Sequence, residues 1–285
     1  KVAFAIALSL VLAAPSTLGA SNGPVQRRSA PFRGHTTAPL SRVASTRARP
    51  YLAAQMPQAA AIVLAGGVGS RMKADRPKQL LDLMGKPVMI HSLELFLGMP
   101  CISHVVIVLD EQYRDLVAAH KKEHGDRLRF ADPGTERQDS VSNGLAQIPE
   151  DVGIVAVHDS ARPLVSREKV EEVIVDAAEH GAAVLGVPCK ATIKESADGE
   201  FVTQTLDRSR LWEIQTPQVV RTDLLRKGFK KVAAESLEVT DDASIVEQLG
   251  APVKITLGDY TNFKLTTPED MVIARDLLER GVVKL

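Results

Sequence analysis

Residues 59–72 read AAAIVLAGGVGSRM, a short apolar run that leads into a glycine-rich segment. Six apolar residues bounded by glycines are typical of a strand that is buried on both faces. Similar runs recur along the chain, and segments with helix-compatible spacing lie between them. The runs are 105–109, 154–157 and 182–187, and the helix-compatible segments are 87–97, 111–122, 137–146 and 168–179.

The alternation of strands and helices predicts an α/β fold, in which a Rossmann-like, mostly parallel sheet carries helices on both faces. The same order returns near the C-terminus, with helices predicted at 224–234, 241–249 and 268–279 and a strand at 253–257. Ligands of such sheets bind beyond the carboxyl ends of the strands. We expect one domain over residues 57–285.

A segment at about 190–217 interrupts this order. Residues 191–196 and 201–205 flank Asp198-Gly199, a dipeptide that favours a tight turn between antiparallel strands. The pattern predicts a β-hairpin that protrudes from the domain. From the residues alone, this hairpin is either an arm that reaches a second subunit or a surface excursion.

The charges are divided unevenly along the chain. Its 285 residues include 35 Lys and Arg and 35 Asp and Glu, so the formal net charge is zero. Residues 1–60 hold seven basic residues and no acidic ones, which leaves 28 basic against 35 acidic residues in the remainder. A body of negative charge repels nucleic-acid backbones, so we expect no nucleic-acid partner. Any anionic substrate must be held by a local basic cluster.

The N-terminal region is predicted to direct the protein to a compartment. Residues 2–14 are almost wholly apolar and shorter than a membrane span of about 20 residues, so 1–20 are interpreted as a signal-peptide-like segment. Residues 21–56 are rich in Arg, Ser, Thr, Ala and Pro, which is typical of a transit peptide. This two-part leader predicts the stroma of a plastid with additional membranes, and a mature form without membrane contact. The alternative is a basic tail after a genuine membrane anchor.

The glycine-rich segment after the first strand has the features of a phosphate site. Gly66, Gly67 and Gly69 would let backbone N–H groups approach phosphate oxygens, and Arg71 and Lys78 add positive charge. The spacing of the glycines differs from both the P-loop and the dinucleotide-binding fingerprint. The alternative is a plain turn with two solvated cations.

Asp159 follows the strand predicted at 154–157, at the edge of the sheet where ligands bind. A carboxylate that faces phosphates requires a cation between them, and Mg²⁺ accepts oxygen ligands shared between protein, phosphate and water. Asp159 is therefore the predicted metal ligand; alternatively, it caps the following turn. The neighbouring His158 either orients Asp159 or packs in the core.

Two motifs resemble those of a known family. Residues 64–72 with Pro77-Lys78 are similar to the signature loop of nucleotidyltransferases that join a nucleoside triphosphate to a phosphorylated small molecule. Residues 155–163 (VAVHDSARP) resemble the signature of cytidylyltransferases that act on polyol phosphates. Within that group, the chain resembles the 2-C-methyl-D-erythritol 4-phosphate cytidylyltransferases from about residue 59 to residue 278.

The resemblance implies transfer of CMP from CTP to 2-C-methyl-D-erythritol 4-phosphate, with Mg²⁺ as cofactor, in the non-mevalonate isoprenoid pathway. It also implies a homodimer in which each hairpin arm completes the active site of the other subunit. The implied catalytic cations are Arg71, Lys78 and Lys264. The implied CTP contacts are Ala65, Gly66, Gly67, Gly134, Arg137, Ser140, Asp159 and Ser160, and the implied contacts to the polyol phosphate are Arg162, Thr192, Arg208, Thr216 and Thr240.

Some of these residues have a plainer interpretation. Arg137 could pair only with Glu136, Thr240 could only cap the next helix, and Lys264 could be a surface lysine on an edge strand. Ala191 stands where many bacterial members have Asp, so the role of a carboxylate at this position is in doubt.

Three other functions are compatible with parts of the pattern. A ribitol 5-phosphate cytidylyltransferase would share the glycine loop and the second motif, but residues 192–194 and 205–212 favour the methylerythritol branch. A sugar-1-phosphate uridylyl- or guanylyltransferase would share only the loop. A non-catalytic nucleotide-sensing protein on the same fold would not require Arg71, Lys78, Asp159 and Lys264 together.

Overall fold

The computed structural model describes residues 56–67 and 76–284. The predicted leader up to residue 55, and Arg71 with Gly69, lie outside the described residues. Seven strands form the central sheet: β1 (Ala59–Leu64), β4 (Ile102–Val108), β5 (Leu128–Ala131), β6 (Ile154–Asp159), β7 (Ala182–Pro188), β10 (Trp212–Arg221) and β11 (Lys254–Leu257). Four two-residue strands pair outside this sheet: β2 (Asp82–Leu83) with β3 (Lys86–Pro87), and β8 (Lys194–Glu195) with β9 (Gln204–Thr205).

The sheet is mostly parallel, as predicted. Its order is β11-β7-β10-β6-β1-β4-β5. β10 runs antiparallel to β6 and β7, and the other neighbouring strands are parallel. The central position of β1 and β6 places their carboxyl ends side by side at one edge of the sheet.

Helices cover both faces of the sheet, which confirms the predicted fold class. Successive residues of β1 face opposite sides, so Ala61 and Val63 pack in one core, and Ala60 and Ile62 pack in the other. The first core is covered by α1 and α4, and the second by α3, α5 and α6. The α-helices are α1 (Val88–Leu97), α2 (Ala118–His124), α3 (Arg137–Ala146), α4 (Arg167–His180), α5 (Thr222–Glu235), α6 (Asp242–Glu247) and α7 (Pro268–Glu279).

Side-chain caps begin the helices nearest to the candidate site. Asp241 caps α6 and forms a capping box with Ser244, so the cap is one residue after Thr240. Thr267 caps α7, where Asp270 accepts hydrogen bonds from the backbone N–H groups of residues 266 and 267. These caps anchor the ends of the loops that precede both helices.

The structure differs from the sequence prediction in three elements. β5 was not predicted, because Arg129 interrupts a four-residue strand. β10 was not predicted either, since polar residues and Pro217 are uncommon in a central strand. The pairing of β10 with β7 is irregular around Pro217, where the register shifts between Ile214 and Gln218. Residues 212–217 therefore belong to the central sheet and not to the arm. The helix predicted at 111–122 begins as a 3₁₀ segment, Glu111–Val117, and becomes α-helical only in α2.

The hairpin predicted at 191–205 is represented by one short pair, in which Lys194 is opposite Thr205 and Glu195 is opposite Gln204.

None of the helices in the described part of the chain has both the length and the apolar character that a membrane crossing requires.

Candidate functional site

A cleft of about 340 Å³ opens at the carboxyl ends of β1 and β6. Leu64 and Asp159, the last residues of these strands, are partners in the parallel register. The turn before α3 and the loop between β11 and α7 form the remaining walls. The lining residues are Leu64, Gly66, Gly67, Lys78, Gln79, Gly134, Thr135, Glu136, Arg137, Ser140, Asp159, Ser160, Ala161, Lys264 and Thr266.

The glycine segment after β1 is held in place by Gln79. The buried Gln79 amide donates hydrogen bonds to the carbonyl oxygens of Ala65 (2.6 Å) and Gly67 (2.8 Å). A Cβ at Gly66 would lie 2.5 Å from the ring of Pro133, whereas a Cβ at Gly67 would meet nothing within 4 Å among residues 56–67 and 76–284. Gly66 is thus required for packing, and Gly67 leaves its backbone open to the cleft.

A second glycine closes the turn before α3. The Gly134 N–H donates to the Ser140 hydroxyl oxygen at 2.9 Å, and that hydroxyl group donates to the carbonyl oxygen of Glu136 at 3.2 Å. A Cβ at Gly134 would lie 2.1 Å from the Cβ of Asp139, so only glycine fits there. This turn brings Arg137, the first residue of α3, to the cleft.

Four charged side chains form a chain of contacts across the cleft floor. Arg137 contacts both carboxylate oxygens of Asp242, at 3.1 and 2.8 Å, and donates from Nε to Oδ1 of Asp159 at 3.2 Å. Lys264 Nζ lies 2.6 Å from Oδ2 of Asp159. Arg137 therefore pairs with two carboxylates from distant elements, and the predicted alternative of a pair with Glu136 is wrong.

The ionisation of this cluster follows from burial and pairing. Burial alone would raise the pKa of Asp159, but the nearby Arg137 and Lys264 hold it well below its usual range. Burial would lower the pKa of Arg137, but the two carboxylates raise it above its usual value. For Asp242, burial raises the pKa, and the bidentate contact with Arg137 offsets part of that cost. Asp159 is consequently anionic at neutral pH.

Two lysines reach the cleft from different sides. Lys78 Nζ donates to the carbonyl oxygen of Leu265 at 2.8 Å, which links the segment after the glycines to the loop before α7. Lys264 lies in that same loop, between β11 and α7, and not on an edge strand. With Arg137, these residues provide three cations that line one cleft.

Two predicted substrate residues lie behind the cleft floor instead of lining it. Thr216 is buried, and its hydroxyl group contacts the backbone N–H of Asp159 and the ring of His158. Arg162 donates to the carbonyl oxygen of Asn262 at 2.8 Å, and its Nε has no hydrogen-bond partner among the described residues. His158 packs against Phe96 and does not contact the Asp159 carboxylate.

The other predicted substrate residues are distant from one another. Thr192 and Arg208 are exposed on the segment that connects β7 to β10. Arg208 donates one hydrogen bond, to the carbonyl oxygen of Lys190 at 3.1 Å. Thr240 is exposed and lines a smaller depression next to Arg137 and Asp242.

Sequence reasoning missed two residues that support the site. Gln79 holds the glycine segment, and the only available signal was its place directly after Pro77-Lys78. Asp242 is fully buried and lies 105 residues after its partner Arg137 in sequence. No local pattern reports a contact over that separation, because it depends on how α3 and α6 pack on the same face of the sheet.

The side chains available as metal ligands show whether the predicted Mg²⁺ fits this cleft. Among the described residues, no group of three His, Cys, Asp or Glu side chains could hold a metal. Asp159 is one anionic carboxylate at the floor of a cleft ringed by cations. This set fits a metal that takes one ligand from the protein and the rest from phosphates and water.

A cation-lined cleft with an open glycine backbone, at the carboxyl edge of a Rossmann-like sheet, is a site suited to binding a phosphorylated ligand. Residues 59–280 match the family profile described as "IspD: 2-C-methyl-D-erythritol 4-phosphate cytidylyltransferase". The chloroplastic enzyme of that name from Oryza sativa subsp. japonica is 54% identical over 217 residues, which cover 76% of this chain and 73% of the rice chain. The enzyme of that name from Geobacillus thermodenitrificans is 44% identical over 226 residues, or 79% and 98% of the two chains.

Solved structures agree with these relatives. The crystal structure of the Francisella tularensis 2-C-methyl-D-erythritol 4-phosphate cytidylyltransferase superposes with a TM-score of 0.68 at 28% identity, over 78% of this chain and 100% of the other. The chain belongs to the 2-C-methyl-D-erythritol 4-phosphate cytidylyltransferase family.

Proposed function

We propose that this chain transfers CMP from CTP to 2-C-methyl-D-erythritol 4-phosphate, in the non-mevalonate route to isoprenoids. An oxygen of the substrate phosphate attacks the α-phosphorus of CTP, and the bond from that phosphorus to the bridging oxygen breaks. The products are 4-diphosphocytidyl-2-C-methyl-D-erythritol and pyrophosphate. The observation that carries the proposal is the convergence of Lys78, Arg137 and Lys264 on the glycine-bounded cleft of a chain that belongs to this family.

The main barrier to this reaction is electrostatic, because both reactants are anions. Cations held in place at the reacting phosphates stabilise the charge that develops during transfer, and they do not need to reorganise. We assign this role to Lys78 and Lys264, and to Arg71 from the family resemblance. The contact of Lys78 with the loop of Lys264 supports joint positioning of the two lysines.

The nucleotide is proposed to enter between the two glycine turns. The open backbone of Gly67 and the buried Ala65 would face the ribose or base on one side, and Gly134 and Ser140 on the other. Arg137, Asp159 and Ser160 complete this wall. Asp159 would hold Mg²⁺, which would neutralise part of the charge of the CTP phosphates.

The second substrate is proposed to bind with help from a second copy of the chain. Thr192 and Arg208 are exposed on the segment between β7 and β10 and have few contacts in their own chain. These properties support an arm that completes the site of a partner in a homodimer. Arg162, Thr216 and Thr240 would belong to the same chain as the cleft.

The location proposed for the protein is the plastid stroma. Two observations support it: the composition of residues 1–56, and the similarity to a rice enzyme that is named chloroplastic. Fusing residues 1–56 to a fluorescent reporter would test the proposal, and a reporter that stays outside the plastid would contradict it.

The central experiment measures pyrophosphate release by purified residues 57–285. CTP, UTP, ATP and GTP are each combined with methylerythritol phosphate or ribitol phosphate in the presence of Mg²⁺. We expect activity only with CTP and methylerythritol phosphate. Comparable release with ribitol phosphate would support the alternative enzyme, and no release with any pair would refute the proposal.

Two variants localise the chemistry to the cleft. Lys78→Ala should lower kcat by about a hundredfold, which corresponds to roughly 3 kcal/mol of transition-state stabilisation. Gly67→Ala should raise the KM for CTP without loss of folding, because the added methyl group points into the cleft and meets none of the described residues within 4 Å. Lys86→Ala and Gly153→Ala, outside the cleft, are the matched controls.

A further inference from the structure

The loop between β11 and α7, residues 258–267, carries Lys264 to the cleft and contains no helix or strand of its own. After Lys264, the loop is held by its backbone, because the Leu265 N–H donates to the carbonyl oxygen of Ala161 at 2.8 Å. Before Lys264, the side chain of Asn262, which is only 2% exposed, anchors the loop to β10. The position of the lysine therefore depends on contacts on both sides of it.

Two side-chain amides form the anchor before Lys264. Asn262 Nδ2 donates to Oε1 of Gln215 at 3.1 Å and to the carbonyl oxygen of Thr216 at 3.0 Å, so both of its hydrogens are used. Gln215 Nε2 donates to the carbonyl oxygen of Asp259 at 2.8 Å. Backbone carbonyl oxygens can only accept, so they fix the orientation of both amides. The pair thus holds the turn of residues 259–262 at its two ends.

An irregularity in β10 makes these contacts possible. The pairing of β10 with β6 begins at Gln218, and its register on β7 shifts between Ile214 and Gln218. Gln215 and Thr216 lie in that interval, where the ladder of the sheet is interrupted. A buried backbone carbonyl group needs a donor, and Asn262 supplies it for Thr216. The interrupted strand therefore offers the loop a carbonyl group that a regular ladder would have used.

We propose that Gln215 and Asn262 are positioning residues for the transferase reaction, and that they act through Lys264 by holding the loop from which it reaches the cleft. Lys264 Nζ lies 2.6 Å from Oδ2 of Asp159, and release of the loop at Asn262 would let the ammonium group leave that place. A cation stabilises the developing charge best where it is held in position and does not need to reorganise. The effect on catalysis rests on the proposed function, whereas the ordering of the loop does not.

The catalytic part is tested with a double-mutant cycle at Asn262 and Lys264. Asn262→Ala should lower kcat at least tenfold in the wild-type background, and less than twofold when Lys264→Ala is already present, because the amide acts through the lysine. The carbonyl oxygen of Asn262, which accepts from Arg162 at 2.8 Å, is kept in this variant. Losses by the same factor in both backgrounds, or wild-type kcat in Asn262→Ala, would overturn the proposal.

Thr256→Val is the matched control for a general loss of stability. Thr256 is also buried, and its hydroxyl group donates to the Asp176 carboxylate at 2.6 Å, but it lies on β11 and not in the loop. The variant should lower Tm and leave kcat within twofold of the wild type. A loss of kcat in Thr256→Val as large as that in Asn262→Ala would overturn the proposal, because the effect would not be specific to the loop.

Gly258→Ala provides a second variant if Asn262→Ala does not fold. It keeps both amides, but its Cβ would lie 2.5 Å from Oε1 of Gln215 and would displace that amide. We expect kcat to fall at least threefold, and by less than twofold in the Lys264→Ala background. An unchanged kcat in Gly258→Ala would contradict the role of the amide pair.

The ordering of the loop is tested without enzyme activity, by hydrogen exchange of the Leu265 amide. Asn262→Ala should speed this exchange at least tenfold over the wild type, whereas Thr256→Val should change it less than threefold. Exchange at the wild-type rate in Asn262→Ala would overturn the proposal, because the loop would then not depend on the amide. If the wild-type chain releases no pyrophosphate with any substrate pair, the proposed function fails, and the exchange rates still test the anchor.

Discussion

The cleft and the segment between β7 and β10 are built in opposite ways. In the cleft, Asp242 is fully buried and Asp159 is 8% exposed, and each carboxylate has a charged partner within 3.2 Å. In residues 189–211, Phe201 is 73% exposed and Val202 is 60% exposed, and the regular structure consists of the two-residue pair of β8 and β9 and one short 3₁₀ segment, Arg208–Arg210.

This contrast separates two sources of function. The cleft is organised by contacts within one chain, so its geometry should persist in a single subunit. The polar residues of segment 189–211 have little in their own chain to act on, so any functional role for them requires something outside the chain. Substitutions of the buried carboxylates of the cleft should therefore change the free energy of unfolding together with activity, and those in the segment should change activity alone.

The largest expected change in stability follows from Asp242→Ala. The substitution removes the buried partner of Arg137, and breaking a buried ion pair costs about 3 kcal/mol or more of unfolding free energy. Denaturant unfolding would measure the loss. The Asp223 carboxylate is half exposed, so Asp223→Ala should change the unfolding free energy little and is the control. Equal stability of Asp242→Ala and the wild-type protein would show that the buried pair does not hold the cleft together.

Gly66→Ala should have the next largest effect. The new methyl group would lie 2.5 Å from Pro133, and overpacking of this kind costs about 1–3 kcal/mol. Gly67→Ala is the neighbouring control, because no described residue lies within 4 Å of its Cβ. A thermal melt in which both variants unfold at the same temperature would contradict the different roles assigned to these two glycines.

A smaller, pH-dependent effect is expected at Asp270. Burial would raise the pKa of its carboxyl group, but hydrogen bonds from the backbone and hydroxyl groups of Thr266 and Thr267 lower it overall. A carboxylate with a lowered pKa stabilises the fold above its ordinary pKa of 3.8, and this contribution is lost as the pH falls below it.

Asp270→Asn should therefore be less stable than the wild type at pH 7, by about 1 kcal/mol, and the difference should shrink towards pH 3. Urea unfolding at both pH values measures it. Glu269→Gln, in the exposed part of the same helical turn, is the control. A difference that grows as the pH falls would reverse the assigned sign.

The smallest stability effect is expected in the exposed segment. Arg208→Ala removes one hydrogen bond and should leave the unfolding free energy within about 0.5 kcal/mol of the wild type, while activity falls at least tenfold. Mixing Arg208→Ala with Lys78→Ala should restore about a quarter of wild-type activity, because half of randomly mixed dimers are heterodimers with one intact site. A mixture as inactive as its parents would contradict the shared site.

Strands and helices whose signals lie within a few neighbouring residues could be predicted from the sequence alone. Strand β1 and helix α7 have the predicted bounds, since an apolar run stopped by glycine and a Thr-Pro start with an acidic third residue are local signals. β10 could not be predicted, because its central position depends on pairing with β6 and β7 on both sides. That pairing overrides the low strand preference of Pro217 and the polar residues around it.

The residues of the candidate site also fall into two groups: those that a sequence motif indicated and those that only the structure revealed. The glycines, Lys78, Asp159 and Lys264 stood out because of their motifs, and the structure places them around one cleft. Gln79 and Asp242 did not stand out, because their importance lies in contacts with backbone carbonyls or with a distant arginine. Thr216 was predicted to contact the polyol phosphate, and only the structure shows that its hydroxyl group contacts the backbone of Asp159 and the ring of His158.

The sequence by itself determined the α/β class, the family resemblance and the residue types that phosphate chemistry requires. These properties depend on periodicity and on short motifs, both of which are local. Only the tertiary structure decided that Arg137 bridges Asp242 and Asp159, that β10 lies between β6 and β7, and that Thr216 contacts His158 and the backbone of Asp159. Such contacts join residues far apart in the chain, and their energies depend on burial, which exists only after the chain has folded.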